Sequence, residues 1–460
     1  MHISKSIALL PLLWLCASFA YAEECPAPRQ WFSSSAVPTP GDAEPRRGVD
    51  CDFYQRAWQQ FLFATESVSG KPRFFGYKSY SDLFGRDDHA GLFSSSVQMM
   101  VLAPRTAESA QVEDAEDVFQ AGSSAILIDQ NSRPIFYNII VNPTFEKFIV
   151  IGKLNNFQQL KATNPDTEIP VGAVEFKAAW QIVSKDQPPT DRIVTQAQVP
   201  YLIPNPTQPG KLIVDRSKGL RVETVALIGL HVVFRPVGHP EMVWATFEYD
   251  QNAPSTAGNP KTDLSGINPG ASCQNPSEPR DDTVKDSGKP YILYKNGTLA
   301  SDANLKPKSM TVVVDQQLFQ PTTSIVRAFP FSACFPGQNP DHAVTTIDPA
   351  VSAVNQSAKS QLHDVLRNSY SLVGAVWMDE PNNPNSDLAF GKGITFDDFQ
   401  LGGEDRLSST SMESFTQISA PNCFVCHNTV EKGGLGPMRI NVSHIFRRFA
   451  LQSKKPPVAP

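Results

Sequence analysis

Between residues 97 and 378 the chain carries a series of apolar runs rich in β-branched and aromatic residues, separated by turn signals, and this pattern limits its fold more than any other feature. The runs are "VQMMVLA" (97–103), "AILID" (125–129), "PIFYNIIV" (134–141), "GAVEFKAAWQIV" (172–183), "VALIGLHVVF" (225–234), "MVWATFEY" (242–249), "SMTVVVD" (309–315) and "SLVGAVWM" (371–378). No fixed period repeats along the chain, which argues against a propeller or solenoid. Helical patterns are fewer. Residues 52–65 place Phe53, Ala57, Trp58, Phe61 and Leu62 on one side, and residues 351–366 form a second helical segment. The expected fold is α+β, with a large β-rich, sandwich-like domain.

One hairpin stands out in that domain. Residues 229–254 turn at Pro236–Pro240, and pairing 234 with 241 places His231 beside Trp244, with Val232 and Val243 on the other face. His231, His239 and Glu248 have metal-ligand chemistry, but His239 falls in the turn, several residues from His231. The expectation is therefore a half-buried strand histidine packed on Trp244. Glu175 and Lys177 alternate with Val174 and Phe176, as in a two-faced strand, and no catalytic residue is assigned. The chain has no nucleophile elbow, phosphate loop or dinucleotide fingerprint.

Hydrophobic residues make up 41% and charged residues 19%, an ordinary globular balance that supports a sizeable core. The formal net charge of −6 argues against nucleic acid as a partner, and no block of like charge marks a tail or a membrane patch. The 39 prolines imply many loops and turns, above all in the Pro/Ser/Gly-rich stretch 251–292, read as a lid or an ordered insertion held at Cys273. Asp397-Asp398 and Glu404-Asp405 are read as solvated loop charges in preference to a calcium site.

Residues 1–22 have a basic n-region with Lys5, an apolar run and a small-x-small end at Ala20-Tyr21-Ala22, the pattern of a bacterial secretory signal. Cys16 follows Leu15, where lipoprotein processing needs a small side chain, so lipidation is not expected. The expectation is a periplasmic or secreted protein with no membrane span after cleavage. Six cysteines would remain. Cys25–Cys51 and Cys273–Cys334 are paired by proximity, although four cysteines allow three connectivities.

Cys423 and Cys426 form a separate pair, in "NCFVCHN", followed directly by His427. Two thiols three residues apart on one turn face the same way, and the next residue comes round to a metal. This is the attachment spacing of a c-type haem, whose vinyl groups take the thiols and whose iron takes the histidine. Zinc would need two further ligands at metal spacing, and only His444 lies near in sequence. A thioredoxin-like pair would follow a strand, whereas the residues before this one read as helical.

Through "CFVCH" alone the chain resembles the c-type cytochromes. The resemblance implies one covalent haem c, His427 as proximal iron ligand, and one-electron exchange with a redox partner protein or a small-molecule donor or acceptor. A single motif does not fit the di-haem peroxidase arrangement, and the resemblance does not extend to the residues in front of it.

For the sixth iron position, Thr410 and Glu413 form a capping box that predicts a helix from 411, with Met412, Phe415 and Ile418 on one face. The Gly/Pro loop 431–441 carries Met438, the leading candidate ligand, and Met412 follows, its other reading being a packing contact. The final segment 441–451 predicts a helix with Val442, Ile445, Phe446 and Phe449 on one stripe. His444 projects to the polar side with Arg447 and Arg448, as a surface histidine and the weakest ligand candidate. An open sixth position would permit peroxide or small-ligand chemistry.

The expected organisation is a signal peptide at 1–22, a β-rich α+β domain at 23–400 and a helical cytochrome c-like segment at 401–460. That last segment is too short to bury both faces of a haem and must lean on the preceding domain. Two functions follow: an exported mono-haem electron carrier, or a haem-linked oxidoreductase, peroxidase-like, whose β-rich domain binds a substrate. A structural or adhesive β-domain with an incidental haem tail is the weakest reading.

Overall fold

The computed structural model describes residues 25–33, 45–46, 49–85, 100–101, 103–104, 126–206, 212–215, 217–256, 283–313, 318–328, 349–378, 401–404, 407, 409–417, 423–431 and 434–454. The signal segment, Cys16, Cys273, Cys334, Asp397-Asp398, Ile418 and most of 251–292 lie outside them. Within them the fold is mixed α+β, built on one large antiparallel sheet with helices.

The sheet has ten strands: β1 (Lys78–Ser79), β2 (Met100–Val101), β3 (Ala103–Pro104), β4 (Ile135–Val141), β5 (Val174–Ile182), β6 (Val194–Pro200), β7 (Leu220–Phe234), β8 (Val243–Tyr249), β9 (Tyr370–Met378) and β10 (Leu401–Gly403). The order along the main path is β10-β9-β8-β7-β5-β4-β1, with β6 beside the first half of β7. Only β2 with β6 is parallel. The other sheets among the described residues have two strands each, so the layers on the large sheet are helices and loops, where a sandwich would place a second sheet.

Five of the eight apolar runs became strands β4, β5, β7, β8 and β9; the bounds lie within two residues of those read from the sequence except at β7, which begins five residues earlier. Two others shrank. Within 309–315 the strand is only Thr311–Val312, in a small hairpin, and within 125–129 Ile128 makes a single bridge to Pro134. The hairpin register also differs. Phe234 pairs with Val243 and His231 with Thr246, so Trp244 pairs with Val233. The turn is two residues longer than expected because Met242 takes φ 65° and its amide donates to the His239 carbonyl at 3.1 Å.

The two faces of the sheet differ in chemistry. On one, α1 (Asp50–Thr65) and a later helix at Pro349–Gln361 bury an aromatic core. Phe53, Trp58, Phe61 and Leu62 are all buried, as their helical spacing implies. Phe61 stacks on Phe247 at 4.3 Å and Phe53 on Trp377 at 4.1 Å. The Trp58 indole N–H donates to Asn355 Oδ1 at 2.9 Å, and Asn355 is hydrogen-bonded in turn to the backbone of Leu372 in β9. A Cys25–Cys51 disulfide ties the preceding chain to α1.

On the other face lie α2 (Pro143–Ile151), α3 (Phe157–Lys161) and the C-terminal stretch, which ends in its own helix, His444–Lys454. α2 starts where Asn142 accepts from the Phe145 amide at 3.1 Å and Pro143 occupies the first helical position. Its Phe145 and Ile149 join Val141, Val233, Trp244, Val376 and Met378 of the sheet, and Phe424, Met438, Phe446 and Phe449, in one apolar cluster.

Phe61→Ala should lower stability by about 3–5 kcal/mol by emptying a ring-sized site between α1 and β8. A urea titration checks this as a shift in midpoint with unchanged slope.

Candidate functional site

Residues 174–182, 220–234 and 243–249 alternate so that Glu175, Lys177, His231, Thr246 and Glu248 share the face opposite the aromatic core. Lys177, His231 and Thr246 stand in one row across β5, β7 and β8. The C-terminal stretch lies over this row.

It is fastened first by Glu404. That residue was read as a solvated loop charge, yet it is buried, and its carboxylate accepts the Ala375 amide at 2.6 Å. It passes directly over Gly374, where a Cβ would lie 2.3 Å from Oε2. Residues 409–411 then close onto Glu248, which is only 2% exposed. Its carboxylate accepts from Ser409 Oγ at 2.6 Å, the Thr410 amide at 2.5 Å, the Thr410 hydroxyl at 3.0 Å and the Ser411 amide at 3.3 Å, and it pairs with Arg327. Gly229 makes room for this strap, since a Cβ there would lie 2.3 Å from Ser411 Oγ.

The strap is a series of turns, and the helix expected from 411 does not form. Its capping signals are spent locally: Ser409 Oγ accepts the Met412 amide at 3.1 Å, and the Ser409 amide donates to Glu413 Oε2 at 3.1 Å. Glu413 Oε1 meets His231 Nε2 at 3.1 Å, while His231 Nδ1 meets Thr246 Oγ1 at 2.9 Å. His231 is therefore a strand histidine bound by two polar partners, where packing on Trp244 was expected. Burial alone would raise the Glu413 carboxyl. The charge and hydrogen bond of His231, the Lys177 charge and the Ser409 amide outweigh it and hold the group below its ordinary value.

Glu175 is buried on the same face and accepts from Ser443 Oγ at 2.6 Å. Burial pushes its carboxyl up to about 7, against the opposing pull of Ser443 and Lys177. His239 and Glu241 are a separate pair at 2.8 Å, with His239 edge-on to Phe53, so His231, His239 and Glu248 do not converge.

Cys423 opens a 3₁₀ turn, Cys423–Val425, Cys426 follows it directly, and no disulfide joins them. The Cys423 carbonyl accepts both the Cys426 amide at 3.2 Å and the His427 amide at 2.8 Å. Burial, with the Glu413 charge and Cys426 adding to it, pushes the Cys423 thiol up, and Lys177 pulls the other way. His427 Nδ1 donates to the Val442 carbonyl at 2.8 Å, which leaves the lone pair of the neutral ring on Nε2. The donor set therefore fits a haem c: two thiols unjoined on one turn, and a histidine whose Nδ1–H is committed to a carbonyl, as metal-ligating histidines commit theirs. Among the described residues, no group of three or more His, Cys, Asp and Glu side chains is arranged to hold a metal ion.

The candidates for a sixth ligand fall in different places. Met438 is buried in the same apolar cluster as Cys423 and Phe424, with its amide donating to the Thr429 carbonyl at 3.1 Å. Met412 is buried in a separate cluster with Tyr137, Ile228 and Ile325. His444 is not a surface residue. Its ring stacks on His427 at 3.7 Å and its Nε2 donates to the Cys426 carbonyl at 2.9 Å. The final helix begins at His444, after a 3₁₀ turn at Arg439–Val442, and Ile445, Phe446 and Phe449 are buried as expected. The C-terminal partners of His231, Glu175 and Glu248 were missed by sequence reading, because Glu413, Ser443 and Ser409 each lie more than 150 residues away in the chain.

Because the folded carboxyl of Glu175 titrates near 7 and its reference value is 4.5, the folded state holds a proton that the unfolded state has lost between those values. Stability from this group is fully present below 4.5 and is lost as pH rises through 7, by about 3 kcal/mol. Thermal melts of wild type and Glu175→Gln from pH 4 to 8 check this: the advantage of the Gln variant should grow with pH and level off above 7.

No protein-family model, curated protein or solved structure matches the chain.

Proposed function

We propose that residues 423–427 attach one haem c covalently, with His427 as proximal iron ligand and Met438 as sixth ligand, and that the protein is an exported mono-haem carrier passing single electrons to and from a redox partner. The observation that carries this reading is the 3₁₀ turn itself: the Cys423 carbonyl accepts the Cys426 and His427 amides, the two thiols stay unjoined, and the Val442 carbonyl orients the adjacent imidazole. A bound haem c would supply reversible Fe(III)/Fe(II) exchange. The chain's part is to present Cys423 and Cys426 for thioether formation and to keep Nε2 of His427 as the ligating atom. It also supplies an apolar wall from Phe424, Leu435, Met438 and Ile440. The sheet shares that wall, which suits a segment too short to enclose a haem alone. Among the described residues no helix is long and apolar enough to cross a membrane.

A second reading, a haem-linked oxidoreductase, is favoured by the ionisable row beneath the turn. Lys177, His231 and Glu413 are charge-bearing groups gathered beside Cys423, and such perturbed clusters concentrate at reactive sites.

Expression of the full precursor with haem-attachment machinery should give a product whose haem survives acid-acetone extraction and shows a c-type haemochrome in alkaline pyridine. Replacing Cys423 and Cys426 with Ala should abolish it while the far-ultraviolet circular dichroism of the sheet remains; covalent haem in that double variant would sink the assignment. Met438→Ala should convert a low-spin iron to high-spin. An unchanged visible spectrum rules Met438 out as ligand, and a wild-type iron already high-spin that binds carbon monoxide favours the enzyme reading.

A further inference from the structure

We propose that His444 and Trp244 are positioning residues that clamp the His427 imidazole and set its plane before any haem is attached; the inference rests on reading residues 423–427 as a haem-attachment turn. The Trp244 ring lies 3.9 Å from that of His427, tilted by 40°, and the His444 ring lies 3.7 Å away at 20°. Two rings at such separations have no room to share one face of an imidazole, so they pack on opposite faces.

Each jaw of the clamp is itself fixed. Trp244 is 5% exposed in β8, and its indole N–H donates to the Glu241 carbonyl at 3.1 Å. His444 opens the final helix, and its Nε2–H donates to the Cys426 carbonyl at 2.9 Å. His427 returns the tie through its own Nδ1–H to the Val442 carbonyl at 2.8 Å. Each histidine thus holds a carbonyl on the other's segment, and residues 426–427 and 442–444 are locked in register. Rotation of the His427 ring would break its hydrogen bond and drive its edge into both neighbours.

His444 stacks on the face of the His427 ring and so lies beside the imidazole plane. His444 therefore acts on the iron through His427, and it does so in two separable ways: the hydrogen bond to Cys426 holds the attachment turn, and the stack holds the ligand plane.

Two substitutions separate them in full-length haem-loaded protein. His444→Phe keeps a ring for stacking and loses the donor; His444→Asn keeps an N–H donor and loses the stack. In frozen-solution electron paramagnetic resonance, His444→Phe should retain the wild-type g-values while showing a lower ratio of covalent haem to protein. His444→Asn should retain the haem ratio while its g-values shift, because the imidazole plane is released. Trp244→Leu, which opens the opposite face, should shift them as well. Wild-type haem ratios and g-values in His444→Asn, His444→Phe and Trp244→Leu alike would overturn the clamp and leave the haem assignment standing. A wild-type chain that takes up no covalent haem overturns the assignment and the clamp together. Circular dichroism identifies a variant that fails to fold, and since each jaw is probed by a different substitution, loss of one leaves the other to decide.

Discussion

The burial of Glu248 determines how the C-terminal stretch meets the sheet. A carboxylate at 2% exposure loses hydration worth several kcal/mol unless the protein replaces it, and here the replacement comes from Arg327 and from residues 409–411. Those partners converge on a strand residue in the middle of the molecule, so the strap has little freedom of register. Gly229 opposite Ser411 enforces the same position sterically. Once Ser409–Ser411 is placed, Glu413 falls on His231, and His231 is already held by Thr246. The turn at 423–427 begins ten residues later.

The two faces of the sheet divide the work. The face under α1 is closed by stacked aromatic rings and by indole–amide bonds from Trp58 to Asn355 and from Trp180 to Asn138, a surface that gains from area and dispersion. The opposite face carries Glu175, Lys177, His231, Thr246 and Glu248, which gain nothing from burial unless each finds a partner. The fold satisfies them with groups from the C-terminal stretch: Ser443 for Glu175, Glu413 for His231, and Ser409 to Ser411 for Glu248. Such a face is more demanding of register than an apolar one. A strap displaced by one residue would leave buried charges bare, whereas aliphatic packing tolerates a slide.

How much of this was legible depended on the range of the interaction. β4, β5, β7, β8 and β9 were visible because β-branched runs carry their preference within a few residues. β6, "VTQAQVP", was missed because its alternation is polar, and α2 was missed although Asn142-Pro143 is a local start signal that could have revealed it. Residues 409–417 carry real capping signals, and the fold uses them: Glu413 reaches back to the Ser409 amide and Ser409 Oγ accepts the Met412 amide, yet the described residues that follow are turns. His444 looked polar-facing on a helical projection because a projection shows no neighbouring segment, and its neighbour is the motif 17 residues before it. The CxxCH spacing at 423–427 is a pattern of adjacent residues, and the structure sets its backbone on one turn closed on the Cys423 carbonyl.

This arrangement also bears on why so large a sheet stands behind so short a motif. A CxxCH turn by itself fixes the spacing of two thiols and one histidine, but it fixes neither the ring plane nor the tautomer of that histidine. Those come from Val442, His444 and Trp244, and Trp244 is set by its place in β8, opposite Val233. The field at the site is set by Lys177 on β5 and His231 on β7 acting on Glu413 of the strap, at short range in an interior where charges are weakly screened. Geometry and electrostatics at residues 423–427 are therefore properties of β5, β7 and β8 as much as of the turn. A chain cut at residue 401 would separate Cys423, Cys426 and His427 from Trp244 and from the charges on β5 and β7.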